Sequence, residues 1–90
     1  MTKKKMEILA EFLEAKSEVF GYYLEDYRVN RESNDALTKS EIAMATVYEI
    51  SKAMGIDNAY MIKEAGIRKG KEIFNAGNAG RQTVTTTESQ

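Results

Sequence analysis

The residues Met-Gly-Ile-Asp at positions 54–57 separate two amphipathic patterns of helical period with no linker between them. Gly55 can adopt the left-handed backbone conformation that ends many helices. In such a cap Ile56 would fold back onto Ile50, and Asp57 would accept hydrogen bonds from the first amides of the next helix. This spacing is typical of a helix-turn-helix, so the chain is expected to form a helical hairpin at this point.

The chain has 90 residues and contains neither cysteine nor proline. A folding unit of roughly 70 to 75 residues, which excludes the polar C-terminal segment, buries only about 60% of the surface that its unfolded chain exposes. Without cysteine, neither a disulfide nor a thiolate metal site can stabilise it. The absence of proline permits long helices. The alternation of polar and apolar residues that is typical of a strand does not occur before residues 83–85. We therefore expect an all-α domain, for which self-association would add stability.

A first helix is predicted from Lys4 to about Arg28, because apolar residues recur there at helical spacing. They are Ile8, Leu9, Phe12, Leu13, Val19, Phe20, Tyr23, Leu24 and Tyr27. Gly21 lies within this helix, where glycine costs about 1 kcal/mol relative to alanine. It can permit close approach of another helix, or a bend, but a merely tolerated glycine is the favoured interpretation.

A second helix is predicted over 39–54. Thr38 and Glu41 have the spacing of a capping box, in which each side chain hydrogen-bonds to the other residue's backbone amide. The preceding segment 29–37 is rich in residues that favour turns, so it is interpreted as a loop. A short helical turn that begins at Asn34 or Asp35 is the alternative.

The region 58–75 permits two interpretations. The pair Gly66-Ile67 repeats Gly55-Ile56 after eleven residues, so it can end a short third helix before a fourth begins, and this broken version is favoured. In the alternative, one helix runs through the region. Gly66 and Gly70 then have the small-xxx-small spacing that lets two helices approach closely.

The expected architecture is thus an all-α bundle of three or four helices with a helix-turn-helix-like hairpin. Residues 1–75 form its single domain. The segment 76–90 has almost no apolar side chains to bury and cannot offset the entropy lost on ordering. A flexible, disordered C-terminal tail is expected there.

The available side-chain chemistry is limited, because the chain also lacks histidine. Histidine and cysteine supply the commonest general base, nucleophile and zinc ligands. Glutamates at positions 7, 11, 14 and 18 share one helix face, but without inward-facing partners on other helices they are interpreted as a solvated surface. We therefore predict no catalytic residue, no metal site and no cofactor, and the protein is not expected to be an enzyme.

Segment 3–5 is a run of three lysines, as at the start of a secretory signal. Glu7, Glu11 and Glu14 follow it, where such a signal needs an uncharged apolar core. No apolar run approaches the length that spans a membrane. A cytoplasmic location without a membrane partner is expected.

Tyrosines cluster near the end of the first helix, and a Met–Tyr pair at i and i+4 lies on the second. Tyrosine offers a large amphipathic contact area and is common at protein interfaces. The predicted partner-binding residues are Tyr22, Tyr23, Tyr27, Met44 and Tyr48. The leading hypothesis is a non-catalytic regulatory or adaptor protein that binds another protein, or itself as a homodimer, through helix faces.

The alternative hypothesis is a helix-turn-helix transcriptional regulator that binds DNA. The net charge of −1 gives no general attraction to nucleic acid, although basic residues outnumber acidic ones in the last third of the chain. In this hypothesis the helix after Gly55 presents its side chains to the bases and phosphates. The residues concerned are Asn58, Tyr60, Lys63, Arg68, Lys69 and Lys71.

Overall fold

The computed structural model describes the backbone of residues 2–89 and the side chains of residues 2–77. Along this backbone the chain forms three helices, α1 (Lys3–Val29), α2 (Asn34–Met54) and α3 (Ile56–Ser89). Both α2 and α3 pack along α1, whereas they contact each other much less. The predicted all-α bundle is confirmed, and α1 is its central helix.

The start of α2 differs from the prediction. Ser33 accepts a hydrogen bond from the amide of Ala36 at 3.2 Å, so it caps the helix at Asn34. Ala36 is 1% exposed, and its burial adds a reason for the helix to begin this early. The predicted start at Lys39 is therefore wrong, and Thr38 lies inside the helix instead of capping it.

Gly55 alone separates α2 from α3. Its φ of 95° lies in the region that favours glycine. The Gly55 amide donates to the carbonyl of Lys52 at 3.3 Å, and the Gly55 carbonyl accepts from the amide of Ala59 at 3.0 Å. One residue thus closes the second helix and opens the third.

The side chains around this turn differ from the expected cap. Ile56 is 66% exposed and lies in the first turn of α3, as does Asp57. The capping side chain is Asn58, whose Nδ2 donates to the carbonyl of Met54 at 2.9 Å. The hairpin is formed as predicted, but α3 begins two residues before Asn58.

The hydrophobic core lies at the end of the bundle next to this turn. Its buried residues are Leu13, Val47, Met54 and Ala59. Five half-buried apolar residues pack around them, namely Met6, Leu9, Ala10, Ile50 and Ile62. All three helices are therefore joined by one apolar cluster.

Beyond this core, α1 and α3 approach so closely that three of their glycines, Gly21, Gly66 and Gly70, have no room for a side chain. A Cβ on Gly21 would lie 2.9 Å from the Cα of Ile67 and collide with its carbonyl oxygen. A Cβ on Gly66 would lie 2.6 Å from the Cβ of Ser17, and one on Gly70 would meet the α1 backbone. The favoured interpretation of Gly21 as merely tolerated is therefore wrong, because this contact requires glycine.

The same contact explains why α3 is continuous. Gly66 and Gly70 both lie within the span of α3 and are buried. The favoured break at Gly66-Ile67 is therefore wrong, and the single-helix alternative is correct. Packing against α1 offsets the poor helix propensity of glycine. Ala76 and Gly77, where the expected tail begins, are exposed, and the rest of that tail lies outside the described side chains.

Candidate protein-binding face

One long face of α1 is left uncovered between α2 and α3. Ile8, Phe12 and Val19 lie on it and are 44%, 55% and 39% exposed. With Ala15 and Tyr22 they follow one another in alternating steps of four and three residues. This is the spacing with which a helix packs against a second helix. The broad apolar pattern of α1 thus divides into one part inside the bundle and one part on its surface.

These five residues of α1 form an apolar stripe, the α1 stripe, and the neighbouring helices extend it. On the α2 side, Val19 and Tyr23 line a hollow together with Ile42, which is 63% exposed. On the α3 side, the same two residues line a second hollow with Ile73, which is 50% exposed. We call this surface the open face, and its residues are Ile8, Phe12, Ala15, Val19, Tyr22, Tyr23, Ile42 and Ile73.

Two of the predicted partner-binding tyrosines lie on the open face and are held by aromatic contacts. The rings of Tyr22 and Tyr23 meet edge to face with their centroids 5.1 Å apart. Tyr22 makes a similar contact, at 5.4 Å, with the buried Phe74 of α3. The ammonium group of Lys39 lies 5.1 Å from the centre of the Tyr23 ring. Both tyrosines therefore have defined orientations.

The other three predicted residues lie elsewhere. Tyr27 lines a hollow near the end of α1, with Arg28 and Lys71. Met44 and Tyr48 are 42% and 55% exposed, but residues two apart on a helix differ by about 200° around its axis. Met44 therefore lies on the opposite edge of α2 from Ile42, so the five predicted residues do not form one surface.

Charged side chains of opposite sign border the α1 stripe. Glu11 and Glu18 lie along the edge next to α3, where Glu18 forms an ion pair with Lys69 at 3.1 Å. The hydrogen bond from Lys69 to Glu18 raises the pKa of that lysine. Lys16 lies along the other edge, beside the hollow that Ile42 lines. On α1 itself, the open face thus has an acidic edge of Glu11 and Glu18 and a basic edge of Lys16.

The residues predicted for DNA binding do not share one face of α3. Lys69 and Lys71, two apart, point about 200° away from each other. Lys63 is half-buried, with its ammonium 5.5 Å from the centre of the Tyr60 ring and 3.8 Å from Glu64. The side chain of Asn58 donates a hydrogen bond to the carbonyl of Met54 at the turn, and Arg68 is exposed.

A buried carboxylate joins α1 to α3 at the far end from the core. Glu25 is 6% exposed. It accepts hydrogen bonds from Arg28 and from Asn75, the latter at 3.3 Å. The bond from Arg28 lowers the pKa of Glu25 despite the opposing effect of burial, and Asn75 and the charge of Lys71 lower it further.

These contacts predict an acid-sensitive contribution to stability. Because its pKa is lower in the folded than in the unfolded chain, Glu25 stabilises the fold above the ordinary value of 4.5. That stability is lost as pH falls through the folded pKa. Glu25→Gln should lower the free energy of unfolding by about 1–3 kcal/mol at pH 7 and flatten its decline below pH 4.5.

Urea titrations from pH 7 down to about pH 3 measure both effects. Glu32→Gln, in the exposed loop between α1 and α2, is the matched control and should leave stability unchanged. An unaltered pH profile in Glu25→Gln would contradict the assignment.

Neither a metal site nor a membrane span is found in the part of the chain that the structure describes. No group of three or more acidic side chains there is arranged to hold a metal ion. None of its helices combines the length and apolar character needed to cross a membrane. No protein-family model, curated protein or solved structure matches this chain.

Proposed function

We propose that this chain is a non-catalytic adaptor or regulatory protein that binds a partner protein through the open face. The observation that supports the proposal is the convergence of apolar side chains from three helices on one uncovered surface. Val19, Ile42 and Ile73 are each between 39% and 63% exposed. Contiguous apolar surface of this kind marks interaction sites in soluble proteins.

The shape of the open face fits a helix as the bound element. The α1 stripe lies between two shallow hollows, so an incoming helix can place its apolar residues into both. Tyr22 and Tyr23 are already held by their neighbours, and rigid aromatic side chains lose little conformational entropy on binding. The acidic and basic edges would set the orientation of the partner.

Site-specific photo-cross-linking in the native host tests this proposal. A photoreactive phenylalanine analogue is placed at Val19 or Ile42, and at Met61 of α3 as a control. Met61 is 72% exposed, so it matches the open face in apolar character and accessibility. We expect discrete adducts from Val19 and Ile42 and none from Met61. Equal labelling at all three sites, or no adduct from a folded chain, would contradict the proposal.

The DNA-binding hypothesis is addressed by a gel-shift titration with duplex DNA at two salt concentrations. A phosphate-binding protein loses affinity steeply as salt rises. Arg68→Glu is the diagnostic variant, because Arg68 is exposed and, unlike Lys69, forms no ion pair with α1 among the described side chains. Salt-sensitive binding that this variant abolishes would favour a DNA-binding regulator over the adaptor.

A further inference from the structure

We infer that the partner on the open face is a second copy of this chain, with the two α1 helices packed in parallel about a twofold axis along their length. The inference rests on the proposed function of the open face and names its occupant. It follows from the register of the α1 stripe, from the charges at its edges and from the positions of Ile42 and Ile73.

The α1 stripe has the register of a two-stranded coiled coil. Phe12 and Val19 occupy the a positions of a heptad, and Ile8, Ala15 and Tyr22 occupy the d positions. Side chains at a and d pack between two helices, while positions e and g flank this contact. Lys16 then falls at e, and Glu11 and Glu18 fall at g.

These flanking charges select the parallel orientation. In a parallel pair, a residue at g faces the residue at e in the next heptad of the other helix. Glu11 of each copy would therefore meet Lys16 of the other, which gives two equivalent ion pairs. In an antiparallel pair, like edges face each other, so Glu11 would meet the acidic edge of the second copy. Among the described side chains, neither Glu11 nor Lys16 has an oppositely charged partner within 4.0 Å.

The flanking helices are placed to complete the same contact. A twofold axis along α1 sets α2 of one copy beside α3 of the other. Ile42 and Ile73 both border Val19 and Tyr23, so they lie at the same level of the stripe. Each Ile42 would then contact the Ile73 of the second copy. The twofold axis repeats this Ile42–Ile73 contact on both sides of the α1 pair, so the interface is self-complementary, as a closed dimer requires.

Charge reversal tests the pairing. Glu11→Lys and Lys16→Glu should each weaken the dimer, because both ion pairs become repulsive. We expect about a tenfold rise in dissociation constant, the change that ~1.4 kcal/mol produces. An equimolar mixture of the two variants, and the double variant, should dimerise as the wild type does. Glu32→Lys changes the net charge as Glu11→Lys does, but away from the open face, and is the control. Sedimentation equilibrium of these five samples and of the wild type measures the dissociation constants.

A disulfide experiment tests the orientation independently, and it is clean because the chain has no native cysteine. Ile8→Cys and Ala15→Cys lie seven residues apart, about 10 Å along the helix. In the parallel dimer each cysteine faces the same cysteine of the second copy, so both variants should form disulfide-linked dimers on mild oxidation. No antiparallel pairing brings both sites within the roughly 7 Å that a disulfide spans between Cα atoms.

The outcomes separate this inference from the proposed function. A stronger dimer in Glu11→Lys, or linkage through only one of the two cysteines, would overturn the parallel arrangement. A wild-type chain that stays monomeric at high concentration, yet gives Val19 adducts with a different protein, would overturn self-pairing and leave the proposed function standing. A monomer that gives no adducts would overturn both.

Discussion

Replacing Gly70 by alanine is expected to lower the free energy of unfolding by about 1–3 kcal/mol or more. The direction of this change in the free energy of unfolding is informative, because alanine inside a helix normally stabilises by about 1 kcal/mol relative to glycine. Here the new Cβ would lie 2.7 Å from the amide nitrogen of Tyr22 and 2.9 Å from the carbonyl carbon of Glu18. These are backbone atoms of α1, so no side-chain rotation can make room. The two helices must separate along their contact.

Gly77→Ala is the matched control for this prediction. It is also in α3, but a Cβ there would meet nothing within 4 Å. Alanine at this position should leave stability unchanged or raise it by up to about 1 kcal/mol. Urea denaturation of both variants at one protein concentration measures the difference. If Gly70→Ala proved as stable as Gly77→Ala, the close α1–α3 contact would be disproved.

Leu13→Ala is expected to remove about 2–5 kcal/mol of stability. Leu13 is fully buried at 0% exposure and belongs to the cluster with Val47, Met54 and Ala59, where the three helices meet. Its truncation leaves a cavity that all three helices line. Since small domains lie near the lower end of the usual 5–15 kcal/mol, this one change removes a large fraction of the total.

Ile56→Ala provides the comparison for Leu13→Ala. Ile56 is 66% exposed and lies at the junction of α2 and α3. Its truncation should change stability by no more than about 0.5 kcal/mol, as is usual for surface positions. Thermal and urea unfolding of the two variants, followed by circular dichroism, give the ranking. Equal losses would show that the apolar core is not centred on Leu13.

Local signals in the sequence were sufficient where a short-range interaction decides the structure. The spacing of apolar residues placed α1 to within one residue at each end. Gly55 marked the turn between α2 and α3, because its positive φ is a local requirement. The early start of α2 was also encoded locally, in Ser33, but the capping-box spacing of Thr38 and Glu41 competed with it. Burial of Ala36 accompanies the earlier start.

The candidate site was only partly accessible to sequence reasoning. Tyr22 and Tyr23 were predicted at an interface and lie on the open face. Phe12 and Val19 carried a signal in their heptad spacing, but the same pattern also describes a helix that is buried on two sides. No sequence pattern indicated that Ile42 and Ile73 are exposed. Periodicity shows which residues share a side of a helix, but it does not show whether another helix covers that side.

The sequence by itself determined the fold class, the junction at Gly55 and the existence of helices on either side of it. These features depend on composition, periodicity and one backbone conformation, all of which are properties of neighbouring residues. Only the tertiary structure decided that α3 continues through Gly66 and Gly70 and that one face of α1 stays uncovered. Both outcomes depend on where α2 and α3 pack on α1, and that packing is decided by residues far apart in the chain, such as Gly21 and Gly70.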